Sequence, residues 1–489
     1  MNAICVGHRS AGCAEALAEV SVLHRPSVLL TASLLLWIVK MEEVLAGGLD
    51  LGGFMQLHGA VRTSGVDCPP ETVCDVPFNE QRLRLSAEGS GLAGAAGFAG
   101  KLDLIHDAAL NKADVEVREL YADYNADRYT VRGGRQIMTW GVGDLLFIND
   151  TFPKNWVAFF SGLPLEYLKL GSDAVKLDAF PAFADLEVIV ARFRQDRRPD
   201  ARQFVIASPF PPELPQDIEE PSAPEVNVRL ARYLGSWDGA LYFSYTHFRA
   251  PAWQRRGDLV QGEFPRLSTY GASLTGPLWN GVVSLEAGYY HSLEDRDGTD
   301  SSIDNSQTRL LAGYSREIAH DTTVGVQGYA EWLHGYDAYP RSRSAGYPER
   351  DRLRTVAALR FTQFHRHQTL RLSLFAFWGL SEGDGYLIPS LRYAFSDALW
   401  GELGANLFMG NRNGQFGALG DNDNLYATLR CAFLGGKEPC PELPSCPSSP
   451  RAGAAPSICA TPKPCARSCV LRSRCATAPA PATSRRRQY

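Results

Sequence analysis

The feature that most constrains this chain is an alternation of apolar and polar residues, repeated from Leu49 to Phe433 in segments of about ten residues. In "QRLRLSAE", which begins at Gln81, arginine and leucine alternate. A period of two places successive side chains on opposite faces of an extended strand. Each segment therefore predicts a β-strand with one apolar face and one polar face.

The connections between these segments alternate between short and long. Short ones such as "GSWDG", "GPLWNG" and "FSDA" are separated by long polar ones such as 250–264, 292–306 and 335–350. Outer-membrane barrels have short periplasmic turns and longer outer loops. A water-soluble sandwich also alternates in polarity, but it has no reason to keep its long loops at one end. We therefore predict an all-β fold, a transmembrane antiparallel β-barrel of about 18 strands.

The stretch "NLYATLRCAF", from Asn424 to Phe433, is predicted to close the barrel. It has a period of two and ends on an aromatic residue, so it resembles the terminal signal of bacterial outer-membrane proteins. Closure removes an unpaired strand edge that lipid cannot satisfy. The resemblance implies that the Phe433 strand engages the barrel-assembly machinery.

The N-terminal region contains the longest apolar run, "SVLLTASLLLWIV", which is too short for a membrane-spanning helix of about 18 residues or more. Basic residues precede it and a small-residue site at Ala46 follows it, as in a signal peptide. We therefore predict that residues 1–46 are an N-terminal extension plus a cleaved signal peptide, and that residues 47–436 form an outer-membrane barrel. The alternative for this run is a buried apolar segment.

Residues 437–489 differ in composition, being rich in Pro, Ala, Ser, Arg and Cys without periodicity. They are a disordered extension, a Cys-rich mini-domain or out-of-frame translation, and composition favours the disordered or artefactual interpretation. Of the 11 cysteines, Cys68 and Cys74 are the pair between Cys13 and Cys431. We predict that they form a disulfide in the first outer loop, in an oxidising compartment.

A long aromatic segment follows the strand that ends near Ile137 and is too apolar for a flexible outer loop. We predict that residues 138–170 fold into the barrel and narrow it. Polar residues there would line a constriction whose charge selects the solute. The alternative is that they only brace the wall. The candidate constriction residues are Arg135, Gln136, Trp140, Asp144, Asn149, Asp150 and Lys154.

Arginine recurs at positions predicted to face the lumen. These residues are Arg82, Arg84, Arg118, Arg132, Arg354, Arg360, Arg371, Arg392 and Arg430. Barrel closure makes the last strands neighbours of the first two, so most of the arginines would form one basic wall. Predicted inward acids elsewhere are Glu286, Glu331 and Glu402. An excess of arginine favours anions, whereas an Arg–Glu ladder would only satisfy a polar interior.

One stretch carries a family resemblance. "ELYADYNADRYTVRGGRQIMTWGVGD" looks like the strand-turn-strand and Gly-Arg-Gln…Trp-Gly motif of proteobacterial porin-like barrels, a group that includes alginate-export-type channels. The resemblance is sharp from Glu119 to Lys176 and diffuse over the rest of the barrel. It implies an outer-membrane barrel, and it transfers neither a substrate nor catalytic residues.

These observations predict a porin-like channel in the outer membrane for passive passage of small solutes, anionic ones among them, or of polysaccharide. Expected partners are outer-membrane lipid, lipopolysaccharide and a small solute or anionic polysaccharide. The small net charge of −5 argues against nucleic acid, and no cofactor, metal or catalytic residue is predicted. One alternative is a closed structural barrel that binds a partner. Another is a barrel-embedded lipid hydrolase, which needs Ser, His and an acid on one wall; His247 is predicted to point to lipid.

Overall fold

The computed structural model describes residues 49–91, 95–206, 214–339 and 350–433. The predicted signal peptide at 1–46 and the predicted tail at 437–489 lie outside these ranges. In chain order the strands are β1 (Leu49–Arg62), β2 (Phe78–Gly91), β3 (Ala96–Asp107), β4 (Lys112–Asn125), β5 (Tyr129–Ile137), β6 (Gly171–Ala179), β7 (Asp185–Ala191), β8 (Gln216–Glu219), β9 (Glu225–Leu234), β10 (Trp237–His247), β11 (Ala252–Arg256), β12 (Leu259–Glu263), β13 (Arg266–Leu278), β14 (Gly281–Ser292), β15 (Gln307–Ala319), β16 (Thr322–Leu333), β17 (Leu353–His365), β18 (Leu370–Gly379), β19 (Asp384–Ala394), β20 (Leu399–Gly410) and β21 (Asn424–Phe433).

The barrel is one sheet of 18 strands that closes on itself. Strand β1 pairs antiparallel with both β2 and β21, and the seam runs from Gly53 opposite Phe433 to Arg62 opposite Asn424. The predicted strand count and the closing role of "NLYATLRCAF" are therefore confirmed. Strands β8, β11 and β12 form a separate three-stranded sheet in the outer loops.

The two faces of the barrel differ in polarity. On the outer face Val175, Leu241 and Leu403 are exposed by 56%, 60% and 61%. On the inner face polar side chains such as Ser244 and Glu286 are buried. Strands that alternate apolar and polar residues give a closed barrel an apolar exterior, which suits lipid, and a polar interior, which suits a lumen. In the described ranges, helices are too short or too polar to cross a membrane.

The short connections lie at one end of the barrel, together with Leu49 and Phe433. Between β13 and β14, Trp279 and Asn280 both have a left-handed backbone, with φ of 46° and 59°. This is the mirror-image turn that matches the twist of a two-residue hairpin. The long loops lie at the other end, although β3–β4 and β18–β19 are joined there by only residues 108–111 and 380–383.

The connection between β5 and β6, residues 138–170, lies inside the barrel and is called the inward loop below. It contains helix α1 (Trp156–Ser161), capped by the Asn155 side chain, which accepts a hydrogen bond from the Ala158 amide. A 3-10 helix follows at Leu165–Leu168. Ile148, Phe159 and Leu168 pack in one apolar cluster with aromatic residues that project from the wall.

Candidate functional site

The first half of the inward loop is fixed to β14. The Glu286 carboxylate accepts hydrogen bonds from the backbone amides of Val142, at 2.9 Å, and Asn149, at 2.7 Å. The Tyr290 hydroxyl donates to the Ile148 carbonyl. Because an unpaired buried amide costs free energy, these bonds hold this part of the loop against the wall.

Glycine makes room for the loop at this wall. A Cβ at Gly271 would lie 1.6 Å from Oδ1 of Asn149, and one at Gly288 would lie 2.6 Å from Cγ2 of Ile148. At these two positions the loop packs against strand backbone that carries no side chain.

The second half of the loop reaches the strands near the seam. The Tyr386 hydroxyl donates to the Phe159 carbonyl at 3.0 Å, and Nε2 of His58 lies 3.2 Å from the Ser161 carbonyl. Helix α1 then ends at Gly162, whose φ of 79° is the left-handed conformation that glycine favours. The inward loop thus crosses the lumen from β14 to β1 and β19.

At the seam, the loop inserts Tyr167 among guanidinium groups. The Tyr167 side chain is almost fully buried, and its ring centroid lies within cation–π range of four arginines. The distances from each arginine Cζ are 4.2 Å for Arg82, 5.1 Å for Arg84, 5.0 Å for Arg118 and 5.9 Å for Arg430. We call these arginines, with Tyr167, the seam arginine cluster.

Glu166 supplies a carboxylate to the same cluster. It forms ion pairs with Arg430 and, at 3.2 Å, with Arg84, while Arg118 donates to its backbone carbonyl at 2.7 Å. Burial alone would raise the pKa of Glu166, but Arg430 and Arg84 outweigh that effect and hold this pKa below its ordinary value. Glu166 is therefore an ionised anchor of the loop.

Acidic side chains of the wall also pair with the seam arginine cluster. Arg82 contacts Glu80 at 2.8 Å and Asp103 at 2.5 Å, and Arg84 contacts Asp103 at 2.6 Å. Arg82, Arg84 and Arg430 are therefore paired with carboxylates, whereas Arg118 donates to the backbone carbonyls of the loop.

The other predicted wall arginines also have acidic partners. Arg371 and Arg392 share Glu402, at 3.0 and 2.8 Å. The remaining pairs are Arg132 with Asp123 at 3.2 Å, Arg354 with Glu382 at 3.2 Å and Arg360 with Asp144 at 3.1 Å. The lumen thus resembles a ladder of ion pairs, which was the alternative to a basic wall. The predicted inward acids Glu286, Glu331 and Glu402 are buried.

Most predicted constriction residues contact the wall or other residues of the loop rather than an open lumen. Gln136 is buried and donates to the Ala174 carbonyl at 3.2 Å. The Trp140 ring packs edge-on against Phe152, with centroids 5.1 Å apart. Asn149 binds the wall as described above.

The charged members of the predicted constriction are Asp144, Asp150 and Lys154. Asp150 and Lys154 form a buried pair at 3.2 Å. Burial lowers the pKa of Lys154, and Asp150 opposes that effect. Asp144 differs because 42% of its side chain is exposed. Among the predicted residues, it is therefore a charged group that meets lumen water.

Arg135 does not face the lumen, contrary to the prediction. It lies opposite Leu120, which is 62% exposed on the outer face, and it pairs with Asp173 at 2.7 Å. Because Gln136 faces inward, its neighbour Arg135 must face outward. His247 was also placed wrongly, since it is buried with Nδ1 3.7 Å from the Glu225 carboxylate instead of pointing to lipid.

On the outer-loop side of the inward loop there is a cavity of about 290 Å³. Its lining combines aromatic rings, including those of Trp156, Phe160 and Phe416, with charged groups such as Lys154 and Arg354. This volume is near the lower end of the range found for ligand pockets, so the cavity could hold one small molecule of about one ring.

The predicted disulfide is present, with Cys68 and Cys74 bonded in the loop between β1 and β2. Sequence reasoning missed Glu166 and Tyr167 altogether. The available signal was a charged and a phenolic residue side by side in the apolar stretch "SGLPLEYLKL".

Comparisons with known proteins found no matching family model and no significantly similar curated protein. Similar solved structures include OccK5 (OpdH) of Pseudomonas aeruginosa, at 11% identity and a TM-score of 0.48, over 79% of this chain and 97% of that chain. OccAB1 of Acinetobacter baumannii is 10% identical, with a TM-score of 0.48, over 79% of this chain and 96% of that chain.

A third similar structure is the outer membrane channel DcaP of Acinetobacter baumannii, at 10% identity and a TM-score of 0.39, over 80% of this chain and 98% of that chain. Identities this low assign no activity to this chain. The narrower resemblance to alginate-export-type channels stays a prediction.

Proposed function

We propose that this protein is a porin-like channel of the outer membrane through which small solutes pass passively. The observation that carries the proposal is a closed barrel with an apolar outer face and a lumen of ion pairs, narrowed by the inward loop. Such an exterior suits lipid, and such an interior suits water and solutes. The proposal assigns no catalytic residue.

The solute class follows from the groups that meet lumen water. Arg360 and Asp144 have 48% and 42% of their side chains exposed, and Arg371 has 29% exposed. Two arginines share the single carboxylate of Glu402, which leaves a local positive excess. We therefore propose a modest preference for anions. The cavity of about 290 Å³ favours a small solute over a polysaccharide chain.

Swelling of liposomes that contain the purified protein tests this proposal. We expect swelling in arabinose and in sodium succinate, with slower swelling in a trisaccharide such as raffinose, because the inward loop limits the bore. Empty liposomes are the control. Equal rates for all three solutes would contradict a loop-limited bore, and no swelling with a folded barrel would contradict the channel.

A second candidate, a closed barrel that binds a partner, is favoured by one observation. The inward loop and the wall share an apolar cluster in which Ile148 and Tyr386 are fully buried, and the Tyr386 ring stacks on Phe408 with centroids 4.4 Å apart. An apolar filling resists water, as a plug does. If liposomes that contain the folded barrel do not swell, the result favours this closed barrel over the channel.

A further inference from the structure

The seam arginine cluster has the composition of an anion-binding site. It consists of four guanidinium groups around Tyr167, and guanidinium forks match the oxygen geometry of carboxylate, sulfate and phosphate. The position where an anion would bind is taken by the Glu166 carboxylate, through Arg84 and Arg430. Glu166 belongs to the loop, whereas the arginines belong to the wall.

Within the ion pairs found among the described residues, the side-chain charges of the cluster do not balance without Glu166. Arg82, Arg84, Arg118 and Arg430 supply four positive charges, while the wall acids in contact, Glu80 and Asp103, supply two negative charges. Withdrawal of Glu166 would leave an excess of two positive charges. A divalent anion would neutralise this excess more fully than the single charge of Glu166 does.

An additional donor is available beside the cluster. Oε1 of Gln56 accepts from Arg430 at 2.6 and 3.0 Å, and the same side chain is 99% buried. Its amide nitrogen Nε2 has no hydrogen-bond partner among the described residues. A buried donor without a partner is costly, so a ligand oxygen at this position would relieve that cost.

Glu166 is the accessible member of the group. Its side chain is 33% exposed, against 7% for Arg84 and Arg430. The segment that carries it is a short 3-10 helix at Leu165–Leu168 without a side-chain cap. An anion in the lumen can therefore reach the carboxylate first and compete for its arginines.

We propose that the seam arginine cluster binds a multivalent oxyanion of the sulfate, phosphate or dicarboxylate class, which displaces Glu166 and frees residues 164–169 from the wall. The chain's own carboxylate then acts as a tethered competitor. If the protein is the channel proposed above, binding of an anionic solute would loosen the inward loop, and this consequence rests on that proposal. The binding site itself does not depend on ion flow.

Calorimetric titration of the full-length protein in detergent tests the site, with sodium sulfate and sodium succinate as separate probes at matched ionic strength. The key variant is Glu166→Gln. The matched control is Glu382→Gln, which removes the carboxylate partner of a different lumen arginine, Arg354. Because a neutral amide competes for the arginines less strongly than a carboxylate, we expect Glu166→Gln to bind sulfate at least about tenfold more tightly than wild type.

Comparing the affinities for succinate and sulfate identifies the class of anion that the site prefers. Tighter binding of succinate than of sulfate would identify a dicarboxylate site, whereas the reverse order would identify an inorganic oxyanion site. Equal affinities of wild type and Glu166→Gln for both probes would overturn the proposal, as would a gain of the same size in Glu382→Gln.

A second measurement covers the case in which Glu166→Gln does not fold. Amide hydrogen exchange at residues 164–169 of wild type should rise in sulfate relative to chloride at the same ionic strength. Unchanged exchange at saturating sulfate would overturn the proposal. Neither measurement requires conduction, so a failed anion site and a failed channel give different results.

Discussion

Glu166 of the inward loop forms an ion pair with Arg430 of the closing strand, although 264 positions separate the two residues in the chain. The loop is thereby tied to the seam at which β21 meets β1. The position of the loop and the closure of the barrel are consequently not independent. A substitution at either residue should therefore affect both the position of the loop and the stability of the seam.

Acidification should release this tie. The pKa of Glu166 is held below its ordinary value, so the pair contributes its full stability above about pH 4.5 and loses it as the pH falls through the lowered pKa. The charged groups that act on Glu166 are Arg84, Arg118 and Arg430, and the Tyr167 hydroxyl lies in the same cluster.

The free energy of unfolding, measured in urea from pH 6 to pH 3, should therefore fall more steeply in wild type than in Glu166→Gln. Other carboxylates titrate in both proteins, so the difference between the curves isolates Glu166. Parallel curves would contradict its role.

Glu286 should anchor the first half of the inward loop. Glu286→Leu leaves the buried amides of Val142 and Asn149 without an acceptor, which should cost about 2–4 kcal/mol of unfolding free energy. Glu286→Gln keeps one acceptor oxygen and should cost roughly half as much. Urea unfolding of both variants checks the order, and equal losses would show that the carboxylate does not act through these bonds.

Gly271 should be sensitive to a single methyl group. In Gly271→Ala the new Cβ would overlap Oδ1 of Asn149, so the loop must shift, at a cost of about 1–3 kcal/mol. The matched control is Gly328→Ala, where nothing lies within 4 Å of the new Cβ.

Thermal unfolding should separate these two glycine variants. Gly328→Ala is expected to stay within about 0.5 kcal/mol of wild type. Equal losses of unfolding free energy in the two variants would show that the loop and the wall do not approach each other closely at Gly271.

The disulfide should stabilise the outer loop between β1 and β2 without being needed for the folding of the barrel. Closing so short a loop constrains the unfolded chain by about 2 kcal/mol, and the Cys74 carbonyl accepts a hydrogen bond from Arg62 of β1 at 2.9 Å. The double variant Cys68→Ser/Cys74→Ser should show faster proteolysis between residues 63 and 77, with unchanged heat-modifiability of the barrel on gels. A loss of heat-modifiability would contradict a purely local role.

The barrel itself could be predicted from the sequence because strand polarity is a local pattern. Alternation in "NLYATLRCAF" and the positions of long loops are enough to give closure and strand number. Arg135 was misplaced because Gly133 and Gly134 precede it and carry no side chains that mark a face. The seam cluster could not be predicted, since Glu166, Arg84 and Arg430 meet only after the chain closes.

The most direct test of the account is single-channel conductance of the refolded protein in a planar bilayer, with and without replacement of residues 141–165 by a short Gly-Ser linker. The control replaces residues 254–261, in the outer hairpin of β11 and β12, by a linker of the same composition. We predict a small, steady, anion-biased current that rises several-fold in the loop variant and is unchanged in the control. Silence from a folded wild-type barrel, or equal currents with and without the inward loop, would contradict the account.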